Sequence, residues 1–128
     1  MEERDIAGNR FHLVDRGSFQ YVLIDCSGTG PELLLATLDR AKAHIRSQPP
    51  ASVLTLTDFT DAHFDKRVTE LMKEYASGNA PYVRAAALVG VTGLKLVTLS
   101  AVRLFSKRNF SLFPTREEAE AWLRSQAG

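Results

Sequence analysis

Soft and redox-active side chains are scarce in this 128-residue chain, which has one cysteine, two methionines and three histidines. A single Cys26 cannot form an intramolecular disulfide, and at the end of an apolar run it reads as a small buried hydrophobe. His12 and His44 fall far apart with no paired spacing for zinc, so both read as surface or packed residues. Net charge is also nearly absent. Sixteen Lys and Arg stand against 15 Asp and Glu, which removes any global pull toward nucleic acid or an anionic membrane. No apolar run approaches the roughly 20 residues needed to cross a bilayer, so no transmembrane segment is expected. The charged segment from Met1 to Arg10 lacks the basic and apolar regions of a signal peptide, and the expectation is a cytoplasmic protein.

What is present is a regular alternation of short apolar runs and helical stripes. Phe11–Val14 and Phe19–Ile24, separated by Asp15-Arg16-Gly17-Ser18, predict a β-hairpin. Pro31 then starts a helix that runs to about Ser47, with Leu34, Leu35, Leu38, Ala41 and Ile45 as its stripe and Pro49-Pro50 as its stop. Val53–Thr57 reads as a strand closed by Asp58. A second helix is expected from near Ala62, with Phe64, Val68, Leu71, Met72 and Tyr75 on one face and Ser77-Gly78-Asn79 as its ending.

The most informative stretch lies between Tyr82 and Phe113. Val83–Val89 has strand length, Gly90 and Gly93 punctuate it, and Leu94, Val97, Thr98, Ala101, Val102 and Phe105 recur at helical spacing. Ser111–Phe113 is a last short strand. Thr115 with Glu118 forms a capping box for a final helix buried through Ala119, Trp122 and Leu123. The order is β-β-α-β-α-β-α-β-α in a single domain spanning residues 1–128, and right-handed crossovers would place successive strands side by side.

Chemistry-bearing patterns are few. Gly28-Thr29-Gly30 and Gly90-Val91-Thr92-Gly93 both precede helices and could aim backbone N–H groups at an anion, the second with Lys95 just inside its helix. Neither is a nucleotide-binding fingerprint, because Leu33 stands where the third glycine of G-x-G-x-x-G belongs and the P-loop pattern is missing. Asp58, Asp61, His63 and Asp65, with Thr60 among them, form the densest group of candidate acid, base or ligand residues, near the C-terminal edge of a predicted parallel strand. The glycine and terminal glutamate of a calcium loop are missing from it, and Asp61 can serve as a helix cap. No G-x-S-x-G elbow is present, so no catalytic residue, metal or cofactor is assigned.

The third helix carries more apolar residues than one face requires. Leu96, Leu99 and Leu104 do not fit the main stripe, and Arg103, Lys107 and Arg108 lie near the helix end, where cations complement the macrodipole. A leftover apolar strip beside cations suits a dimer interface, a membrane-surface contact or the wall of an apolar ligand pocket.

Pro81-Tyr82-Val83, Leu88 to Lys95, Phe105 to Asn109 and the Glu117–Leu123 helix resemble the SpoIIAA-like group of small domains, related to STAS domains and to the CRAL-TRIO lipid-binding fold. The resemblance covers Phe11 to Leu123. It implies an α/β domain with a single layer of mixed, mostly parallel five-stranded sheet and four helices. It also implies a regulatory or ligand-sensing module rather than an enzyme. In STAS-type antagonists a serine at the start of the helix after the central strand is phosphorylated, but here the equivalent Asp58–Lys66 stretch has Thr60 as its only hydroxyl. The resulting expectation is a non-enzymatic interaction module, self-associating as a homodimer or meeting a protein partner through the second and third helices, with Leu96, Leu99 and Arg103 among the contact residues. The alternative is an apolar small-molecule or lipid carrier with a cavity lined by Phe64, Leu71, Met72, Tyr75, Val97 or Phe105.

Overall fold

A computed structural model describes residues 4–5, 10–106 and 110–127, with all their side chains except those of 4, 5, 94 and 104–106. The elements in chain order are β1 (Arg4–Asp5), β2 (Phe11–Asp15), β3 (Gln20–Asp25), α1 (Pro31–Ile45), β4 (Val53–Asp58), α2 (Lys66–Asn79), β5 (Val83–Val89), α3 (Leu94–Ser106), β6 (Ser111–Phe113) and α4 (Arg116–Ala127). They build one sheet in the order β1-β2-β3-β4-β5-β6. The β1–β2 and β2–β3 pairs are antiparallel, and the pairs from β3 to β6 are parallel. The five expected strands are all present. The two-residue β1, which lies in the polar lead and has no apolar alternation to announce it, adds an edge beyond them.

Each parallel crossover is a helix, so the apolar stripe of α1, α2 and α3 has to lie on the sheet. Phe11, Val22, Ile24, Val53 and Leu88 form one buried cluster with Leu34, Leu38, Val68, Met72, Leu99 and Val102 of these helices. Among the described residues, the opposite face is covered by α4 alone. There Ala119 and Leu123 close over Val14, Tyr21, Leu54, Leu56, Ala85, Ala87 and Val89. Trp122 adds a tilted ring contact with Phe113 at 5.5 Å. All of β4 is buried, because it is central and has helices on both sides.

Three local expectations need correction. Helix α2 begins at Lys66 rather than near Ala62, and its cap is Asp65, whose carboxylate accepts the Val68 N–H at 2.8 Å. Asp61 is no cap. It sits at φ 57° in a loop held by a local turn, Ala62 N donating to Phe59 O at 3.0 Å, and by a tertiary bond from His63 N to Thr29 O at 2.9 Å. Replacing Asp65 with alanine should cost about 1 kcal/mol in urea denaturation, since it strands one helix-end donor.

The ending expected at Ser77-Gly78-Asn79 is where α2 stops, with Asn79 its last residue. A Cβ at Gly78 would lie 2.2 Å from a guanidinium nitrogen of Arg46, which crosses the helix there. On α3, the expected stripe is rotated. Leu99 and Val102 are buried, whereas Val97 is 68% exposed and Ala101 also faces out. The side chains of Leu94, Leu104 and Phe105, and all of Lys107 and Arg108, lie outside the described residues.

Candidate functional site

The C-terminal ends of β3 and β4 repeat one motif. In Asp25-Cys26-Ser27 the Asp25 carboxylate accepts the Ser27 N–H at 3.0 Å and the Ser27 hydroxyl at 2.6 Å. In Asp58-Phe59-Thr60 the Asp58 carboxylate accepts the Thr60 N–H at 2.9 Å and hydroxyl at 2.6 Å. Asp25 and Asp58 are register partners, and the two turns extend the ladder through Cys26 N to Asp58 O at 2.9 Å and Gly28 N to Thr60 O at 2.8 Å.

Two carboxylates side by side repel unless a cation joins them. Arg116, in the first turn of α4, supplies it. Its Nε donates to Asp58 Oδ2 at 2.7 Å, and its Nη2 lies 3.2 Å from Asp25 Oδ1. Arg10 adds Nη1 bonds to the carbonyls of Asp25 and Ser27 at 3.1 and 3.0 Å. Burial pushes the Asp58 carboxyl up, yet the Thr60 hydroxyl, the Thr60 amide and Arg116 outweigh it and hold it below the usual carboxylate range. Burial pushes the Cys26 thiol up, in keeping with a packed rather than reactive cysteine.

The expected Asp58–Asp65 cluster is therefore divided among separate tasks. Asp58 is tied to Thr60 and Arg116, Asp61 is exposed, and Asp65 caps α2. His63 is exposed and, with Asp65, lines an open groove of about 580 Å³ between the start of α2 and α3. Phe64, Lys66, Thr69, Thr92, Lys95 and Val97 line it as well. Among the described residues no three His, Cys, Asp or Glu side chains come together as metal ligands.

The glycine turn after β5 is shaped by its neighbour. Gly90 has φ 76°, and a Cβ there would lie 2.7 Å from the backbone N and Cα of Thr60. The Lys95 ammonium, expected to favour an anion at this turn, donates to the Phe59 carbonyl at 2.8 Å and ties α3 to the β4–α2 loop. Thr92 and Gly93 are exposed. Arg103 reaches back over the Phe110 ring at 4.5 Å and donates to the Phe110 carbonyl. Leu96 is exposed, but Leu99 belongs to the core at 3% exposure and cannot serve a partner surface.

A second feature lies inside the main core, between the sheet and α2–α3. A cavity of about 40 Å³ is lined by Met72 and Tyr75, as expected, and by Thr55, Thr57, Asn79, Leu99, Val102 and Phe110. Phe64 and Val97 instead line the open groove, and Leu71 faces a groove between α1 and α2. Sites for drug-sized molecules measure roughly 300–1,000 Å³, so a lipid-sized guest does not fit. Asn79 is 1% exposed, its carboxamide oxygen accepts Arg46 Nε at 2.8 Å, and its Nδ2 has no hydrogen-bond partner. Leaving such a donor unsatisfied costs about 1–3 kcal/mol.

Sequence reading missed Arg116, Asp25 and Asn79. The twofold recurrence of Asp-x-Ser/Thr after an apolar run pointed toward Asp25, whereas Arg116 and Asn79 carry no such signal.

No family model matches the chain, and no curated protein matches it. Among solved structures it is similar to an uncharacterised protein of the DUF3478 family with a SpoIIAA-like fold from Shewanella loihica PV-4. The identity is 13%, the TM-score is 0.67, and the match covers 88% of this chain and 91% of that one. At that identity the likeness speaks to architecture, and with the sheet order and four helices above, the fold of this chain is SpoIIAA-like.

Proposed function

We propose that this chain is a non-enzymatic regulatory module that acts by protein contact through the outer surface of the α1–α2–α3 layer, in the first instance with a second copy of itself. The observation that supports this is where large apolar side chains remain exposed. Leu33 on α1, Leu71 on α2, and Leu96 and Val97 on α3 lie on this layer, Leu112 lies on the edge strand β6, and among the described residues α4 exposes none. Burying one such side chain on association contributes about 1.5–3 kcal/mol, so a few of them suffice for a dimer. The polar groups at the strand ends are meanwhile spent on the turns and on Arg116, which favours a binding role over catalysis.

Native mass spectrometry with paired substitutions tests the reading. Val97→Asp should convert dimer to monomer with a melting temperature within a few degrees of the parent. Leu99→Asp should instead collapse stability, since it buries a charge in the core. A parent that is monomeric throughout the micromolar range, or a Val97→Asp protein that stays dimeric, would remove this surface from consideration. The alternative of an apolar carrier draws support only from the position of the α2–α3 cavity and not from its size.

A further inference from the structure

The polar groups at the ends of β3 and β4 are committed to one another, and the uncommitted ones gather in the open groove between the start of α2 and α3. His63, Lys66, Thr92 and Thr98 line it, and among the described residues none of their side chains makes a hydrogen bond or an ion pair. All of them can donate. The acid on the groove, Asp65, is spent: one oxygen accepts the Val68 N–H at 2.8 Å, and the other lies 3.6 Å from a guanidinium nitrogen of Arg67. Lys95 brings a second ammonium, which gives a single hydrogen bond, to the Phe59 carbonyl at 2.8 Å, and keeps its charge. The lining thus holds an excess of cations and free donors, a complement to an anionic acceptor. Between these groups the surface is apolar. Phe64 is fixed by an edge-on contact with the buried Phe59 ring at 5.3 Å, and Val97 is the most exposed of the large apolar residues. The space of about 580 Å³ falls within the roughly 300–1,000 Å³ of small-molecule sites, and it lies beyond the carboxyl ends of β4 and β5, where open parallel sheets hold ligands.

We propose that this groove is a binding site for a small aromatic carboxylate, whose charged end is held by Lys66, His63 and the Thr92 hydroxyl and whose ring lies against Phe64 and Val97. A ring suits the exposed part of Phe64, which it can meet edge-on or offset-stacked. The carboxylate suits a lining whose only acid is already paired. Every group named belongs to one copy of the chain, so the site goes beyond self-association and does not depend on it.

The test titrates the full chain, labelled for NMR, with 3-phenylpropionate, and uses 3-phenylpropanol and acetate as comparison probes. Millimolar 3-phenylpropionate should shift the His63 and Phe64 ring signals together with the Val97 methyls and the Thr92 and Thr98 amides. The alcohol, which lacks the charge, should bind about fivefold more weakly, the scale of an exposed ion pair. Acetate, which lacks the ring, should bind more weakly still. Lys66→Glu reverses one charge at a side chain without a partner among the described residues, and a carboxylate at a helix start favours the helix, so the variant should fold. It should weaken the acid about tenfold and leave the alcohol unchanged. Phe64→Leu keeps an apolar wall without a ring and should weaken both aromatic probes about threefold. Native mass spectrometry counts ligand on monomer and on any dimer separately, so a failure of the self-association reading does not alter the result. No shift at His63, Phe64 and Val97 with no added mass on either species would overturn the assignment. So would equal binding of acid and alcohol, acetate binding as tightly as the acid, or a Lys66→Glu protein that binds the acid like the parent.

Discussion

Gly90→Ala should destabilise the protein by about 2–5 kcal/mol, at least twice the effect of Gly93→Ala. The two glycines share a positive φ, at 76° and 60°, so alanine meets a similar conformational penalty of about 1–2 kcal/mol at each. Space separates them. A Cβ at Gly93 would meet nothing within 4 Å, whereas at Gly90 it would meet Thr60 Oγ1 at 2.3 Å and Thr60 backbone atoms at 2.7 Å. The side-chain oxygen could turn aside only by giving up its bond to Asp58, and the backbone cannot turn aside at all. The β4–α2 loop would have to rise off β5, at a cost of the order known for overpacked cores, about 1–3 kcal/mol. Urea denaturation of both variants measures the difference, and equal losses would mean that the Gly90–Thr60 contact is not part of the folded state.

The Asp58–Arg116 pair should give the second large effect. Asp58→Asn should cost about 2–4 kcal/mol at neutral pH, because it leaves a partly buried guanidinium facing Asp25 alone and weakens the acceptor for Thr60. The pH dependence has a definite sign. The folded Asp58 carboxyl titrates below its ordinary value of about 3.9, so its contribution is complete above that value and is lost as pH falls through the folded pKa. The gap between parent and variant should therefore be flat from about pH 5 to 8 and close below about pH 4. Asp61→Asn, at an exposed residue in a left-handed conformation that asparagine tolerates, should change little at any pH. A gap that widened on acidification would contradict the assignment of the ion pair.

Periodicity located the strands and helices because each crossover helix has one sheet to lie on and each strand has turn residues at its ends. It could not choose a face for α3. Leu96, Val97, Leu99, Ala101 and Val102 leave almost every direction of that helix apolar, and only contact with the sheet decides that Leu99 and Val102 go inside. The start of α2 was misread for a different reason. Asp61 and Asp65 are equally good caps by residue type, and the choice rests on His63 bonding to Thr29, from another loop. Arg116 and Asp58 are 58 residues apart, so their pairing is a product of topology with no local trace. Asn79 looked like a turn residue beside glycine, whereas its role depends on Arg46 arriving from α1's end.

That α4 by itself, among the described residues, covers one face of the sheet bears on how the chain folds as it is made. Residues up to Phe113 complete every strand and the whole α1–α3 layer, but they leave Leu54, Leu56, Ala85, Ala87 and Val89 uncovered until Ala119 and Leu123 arrive. A nascent chain stalled before that point would present a bare apolar surface and an Asp58 carboxylate without Arg116, a species open to chaperones and to self-adhesion. The same division makes the domain a natural two-fragment system, in which a peptide carrying residues 114–127 would be the missing half of a core already laid out by its partner.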